Sequence, residues 1–206
     1  MKKYLIYISL FMSTLLFIGC QDKKIEILGS SAPFRPIWTE FEFLENDEDL
    51  YFISHLTTNS NNSNRVLELA LEQFEEYILE ESDIIYKDYE KVIDLETKEK
   101  LQRTYVEKVF ISNKSEAIMS TEYYWERQLA GSENDAPINY QLHAIITVNK
   151  AFLRKKQVRM LQIQANNATF KDNKLLYDYL KLRKDKFKDY YQTHKIKKKE
   201  YFVLTD

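Results

Sequence analysis

An α+β domain, an antiparallel sheet with two helices packed on it, is the fold class that this sequence predicts. Three observations carry that expectation. Residues 65–80 place Val66, Leu67, Ala70, Leu71, Phe74, Tyr77 and Ile78 on one helical arc, with Glu68, Glu72, Glu75, Glu76 and Glu80 opposite. Residues 172–191 repeat the device, gathering Leu175, Leu176, Tyr179, Leu180, Phe187, Tyr190 and Tyr191 against a lysine-rich side. From Ile138 to Asn149 the chain alternates instead, with Ile138, Tyr140, Leu142, Ala144, Ile146 and Val148 on one side and mostly polar residues on the other. That pattern fits a strand buried on one face.

The remaining elements follow in order. Small residues and Pro over residues 20–36 read as a tether, leaving one domain over 37–192. Phe41-Glu42-Phe43 and Leu50-Tyr51-Phe52-Ile53 are short strand-like runs around the acidic turn Glu45–Asp49. That turn lacks the Gly and the closing Glu of an EF-hand loop, so it reads as solvated. The polar run Thr57–Asn64 is a loop, and Ser63 or Asn64 offers a cap for the helix after it. Ile84–Ile93 and Thr104–Ser112 read as strands flanking a charged turn over 94–100. Ala117–Gln128 is a further strand before a loop over 131–137, and Val158–Ala165 another after the basic turn Arg154–Lys156. Residues 193–206 form a basic tail or edge strand, whose Lys195, Lys197, Lys198 and Lys199 would favour an anionic surface.

The domain must fold on its core alone. The chain has one cysteine, so no disulfide can form within it, and 44% of its residues are apolar. A domain of this size buries enough surface to need no metal. Charge is segregated: residues 21–100 hold 20 acidic and 8 basic residues, residues 150–206 hold 6 and 16. The two halves either attract one another within the fold or make a dipolar surface.

That single cysteine, Cys20, has an informative setting. Lys2 and Lys3 precede an apolar run from Tyr4 to Ile18, then Gly19 and Cys20. Residues 1–19 resemble a bacterial lipoprotein signal peptide, with Leu16-Phe17-Ile18-Gly19-Cys20 as its lipobox; Phe17 stands where the family prefers Leu. A run of 15 residues is short for a membrane span, which takes about 20. The resemblance implies cleavage before Cys20, lipidation of Cys20 with an anchor of several acyl chains, and a lipid-anchored protein of the bacterial cell envelope. Sorting in that family often retains in the inner membrane a chain with Asp directly after the cysteine. Gln21 stands there, which implies the outer membrane.

No catalytic residue, metal site or cofactor is expected. Beyond the signal peptide only Gly29 and Gly131 remain, too few for a phosphate-binding glycine loop. His55, His143 and His194 fit no metal-ligand spacing. Nor does any feature call for nucleic acid. The leading expectation is a non-enzymatic interaction or accessory module with a protein partner in the envelope. Candidate surfaces are the acidic stripe Glu68, Glu72 and Glu76 and the aromatic run Tyr123-Tyr124-Trp125, read as a pocket or interface. The alternatives are a carrier of a lipid or glycan held between sheet and helices, and a hydrolase whose triad the fold assembles.

Overall fold

A computed structural model describes residues 25–89, 92–115, 119–130, 137–170 and 173–193. The expected signal peptide over residues 1–19, Cys20, His194 and most of the tail expected over 193–206 lie outside them. Strands β1 (Ile25–Ser30), β2 (Phe43–Glu45), β3 (Asp49–Thr58), β4 (Met119–Ala130) and β5 (Ile138–Asn149) form one antiparallel sheet, ordered β1-β4-β5-β3-β2. Helices α1 (Ser63–Ile85), α2 (Leu95–Ser115), α3 (Lys150–Phe170) and α4 (Lys174–Thr193) complete an α+β fold.

Both helices expected from periodicity are present, as α1 and α4. Helix α1 buries Val66, Ala70, Phe74, Ile78 and Ile85 and lies on β3 and β5. It starts at Ser63, after Asn62, whose side chain makes no capping bond, so the cap expected from Ser63 or Asn64 is not used. The main core joins Leu50, Phe52, Ile146 and Val148 of the sheet to Phe74 and Ile78 of α1, Tyr105 of α2, Leu161 of α3, and Leu180 of α4.

Two expected strands are helical. Thr104–Ser112 belongs to α2, where Gln102, Tyr105, Val106, Val109 and Asn113 are buried at helical spacing. Its β-branched and aromatic residues imitate a strand, and tertiary packing overrides that preference. The expected turn over 94–100 starts this helix: Thr97 donates from its amide to Asp94 Oδ1 (2.7 Å) and from its hydroxyl to Oδ2 (2.9 Å). These bonds hold Asp94 below the usual carboxylate range. Val158–Ala165 belongs to α3, whose buried stripe runs Leu153, Gln157, Met160, Leu161, Gln164, Ala165 and Ala168. Gln164 accepts from the Tyr86 hydroxyl and donates to the Leu101 carbonyl (2.8 Å). Of the third expected strand, Ile84–Ile93, the first two residues close α1.

Part of the expected tether over 20–36 belongs to the sheet. Ile25–Ser30 is the edge strand, paired with β4 from Ile25↔Ala130 to Ser30↔Glu126. The chain then crosses the sheet face opposite the helices. Ser31 donates from its amide to the Trp125 carbonyl (3.0 Å), and a 3-10 turn follows at Ile37–Glu40. A layer of side chains is thereby trapped between this segment and the sheet.

Candidate functional site

The trapped layer is polar. Register sets His55 of β3 opposite His143 of β5, and Tyr124 of β4 beside His143 on the other flank. Directly opposed residues share a face, so all three project under the segment over 31–42. The Nδ1 atoms of His55 and His143 are 2.7 Å apart, and His55 Nε2 lies 2.8 Å from the Phe41 carbonyl oxygen. That carbonyl can only accept, so Nε2 of His55 carries a hydrogen. With His55 neutral, its Nδ1 accepts and His143 Nδ1–H donates. Nε2 of His143 is then buried without a hydrogen-bond partner among the described residues. Burial, then the neighbouring His55 and Arg35, push His143 down to about 4.

Next to the pair sits Glu126, 1% exposed. Arg35 donates to it through Nε (2.8 Å) and Nη2 (2.7 Å), Tyr124 through its hydroxyl (2.9 Å) and Gln128 through Nε2 (2.8 Å). Burial pushes this carboxyl up, but those four donors outweigh it and hold Glu126 below the usual range. A carboxylate has about four lone-pair positions, so Glu126 has none left for general-base work. The cluster clamps residues 31–42 to the sheet. Among the described residues, neither His55 nor His143 reaches a serine hydroxyl or a carboxylate within hydrogen-bonding distance.

The aromatic run does not converge. Strand alternation sends Tyr124 into the histidine layer and its neighbours to the other face. There Tyr123 and Trp125 pack near Val66, Leu142 and Ala144, and the Tyr123 hydroxyl donates to Asn61 Oδ1 (2.6 Å). The space between sheet and helices, where a carried ligand would sit, is filled by Phe52, Phe74, Ile78 and Ile146.

The acidic stripe has a more open setting. Glu68, Glu72 and Glu76 are exposed on α1, and Arg65 Nη1 ties the first two at 3.1 and 3.4 Å. Two surface clefts flank this ridge. One, about 390 Å³, separates α1 from the sheet edge beyond β2 and is lined by Glu42, His55, Leu69, Glu72, Gln73 and Glu76. The other, about 630 Å³, runs between α1 and α2. Val106 and Leu79 give it apolar surface; Glu72, Glu75, Glu76, Glu99 and Glu107 surround them with carboxylates, and Arg103 is the one cation among the described residues of its wall. Glu72 and Glu76 border both clefts, whereas Glu68 borders neither.

Among the described residues no helix is long and apolar enough to cross a membrane, and no group of three or more His, Cys, Asp or Glu is placed to hold a metal ion. No family model, curated protein or solved structure matches this chain.

Proposed function

We propose that this chain is a lipid-anchored lipoprotein of the bacterial outer membrane that acts by binding a basic protein partner rather than by catalysis. Acyl chains on Cys20 hold it to the membrane, and the Glu72–Glu76 ridge of α1 receives the partner. The observation that carries the reading is the placement of those two carboxylates between two clefts, one of them with an apolar floor. A lysine- or arginine-bearing segment laid between α1 and α2 would set apolar side chains on Val106 and Leu79. Its cations would meet Glu72, Glu75, Glu99 and Glu107. Each exposed ion pair is worth about 0.2–1 kcal/mol, so affinity comes from several together and weakens as salt screens them.

The test is co-purification from detergent-solubilised membranes with wild type and with a Glu72→Lys/Glu76→Lys variant. A partner that is retained at low salt, released as salt rises, and lost from a variant with unchanged circular dichroism supports the reading. Equal recovery by both proteins overturns it for this ridge.

A further inference from the structure

The sheet does not end in a polar rim. Strand β1 projects beyond the helix layer: it pairs with β4, while α1 lies on β3 and β5. Ile25 and Ile27 are 59% and 57% exposed. Leu28, at the bulge between Ile27 and Gly29, is exposed as well. Ile138 opens β5 opposite Leu129, which pairs with Glu26, and it too is exposed. Opposed residues share a face. Ile25 and Ile27 therefore emerge on the histidine side, and Ile138 on the helix side. This corner of the sheet exposes apolar side chains on both faces, with Glu26 the one charge of β1 beside Ile138 on the helix side.

The occupant follows from the chain just before it. Only residues 21–24 separate Cys20 from the first residue of β1. Five Cα steps reach at most about 17 Å, against about 50 Å for Gln21–Pro36 as a fully extended tether. An acylated Cys20 sits in the headgroup layer, so the apolar corner is held within one strand length of lipid. Lys23 and Lys24 lie in the link and Arg127 is exposed on β4, all suited to anionic headgroups; Glu26 is the one carboxylate on β1. We propose that the corner formed by Ile25, Ile27, Leu28 and Ile138 is a second membrane contact, seated in the bilayer interface beside the acyl anchor. It fixes the domain's orientation on the surface. This inference rests on the anchor of the preceding section.

Fluorescence of the full acylated chain on vesicles of phosphatidylethanolamine and phosphatidylglycerol tests it. Acylation consumes the only native thiol, so Ile27→Cys and Ile138→Cys each offer one site for an environment-sensitive label. Labels at both positions should shift to the blue on vesicles. A lipid-borne quencher should dim them several-fold more than a label at Glu68→Cys on α1. Equal quenching at all three sites, on protein that floats with the vesicles, overturns the contact and leaves the anchor standing. Protein that does not float, and whose Cys20 itself takes up label, removes both. A blue-shifted label at Ile27→Cys in vesicle-free, dimeric Cys20→Ser protein assigns the edge to a second copy and also overturns the contact.

Discussion

His55 and His143 face each other across β3 and β5 with their Nδ1 atoms 2.7 Å apart, His143 buried and His55 half-buried beneath the covering segment. One hydrogen serves both nitrogens, and a second has no acceptor waiting for it. Tyr124 and Glu126 of β4, Arg35 and Trp38 of the covering segment, and Gln141 of β5 complete the surroundings.

Stability should therefore fall with pH in a window set by His143. Its folded value of about 4 lies below the ordinary 6.5, so below pH 6.5 the unfolded chain binds more protons and is favoured. The loss grows until the folded state also protonates near 4, and from pH 7.5 to pH 5 it amounts to about 2 kcal/mol. Glu126 acts lower: its depressed value favours the fold above the ordinary 4.5 and is lost only as pH falls through the folded value. Urea unfolding midpoints at pH 7.5, 6 and 5 check this, and His143→Gln should flatten the slope. An unchanged slope would count against the pair.

Removing Arg35 should cost more than neutralising its partner. Arg35→Ala leaves the buried Glu126 carboxylate without its cation and two charged hydrogen bonds, at a cost of about 2–3 kcal/mol. Glu126→Gln keeps much of the hydrogen bonding and lets the part-exposed guanidinium take water, costing about 1 kcal/mol. Hydrogen exchange over residues 31–42 should accelerate in the alanine variant, because Arg35 pins that segment to the sheet. The reverse order of costs would show that Glu126 is not charged in the fold.

The polar stripe of α3 gives a double-mutant test. Gln164→Leu strands the buried Tyr86 hydroxyl and should destabilise by about 2 kcal/mol. Adding Tyr86→Phe makes both partners apolar and should recover part of that loss. Additive losses would place the two side chains apart.

Legibility in the sequence followed how cleanly each surface separated apolar from polar. Helix α1 sets an apolar arc against five glutamates, and β5 alternates, so both were readable. Yet β5 is covered on both faces: His143 and Ile145, on its expected wetter side, are buried, and Trp38 of the covering segment packs edge-on against His143. Helix α3 was hidden because Gln157 and Gln164 occupy core positions, satisfied by Glu81, Tyr86 and Leu101 from other elements. Strand β1 was masked by Gly29, Ser30, Ser31 and Pro33, the composition of a linker, although its amides pair with β4. The histidine pair joins residues 88 apart through a register that no local pattern encodes. Glu68, Glu72 and Glu76 were visible as a charged stripe, but the clefts beside two of them depend on where β2 stops and where α2 packs.

The anchor is the claim on which the function turns, and the mass of one peptide tests it most directly. Trypsin acting on membrane-extracted protein should release Cys20–Lys23 carrying the mass of its acyl chains, with residues 1–19 gone. Recovery of an intact N-terminus from Met1, or of a free thiol at Cys20, would contradict the account.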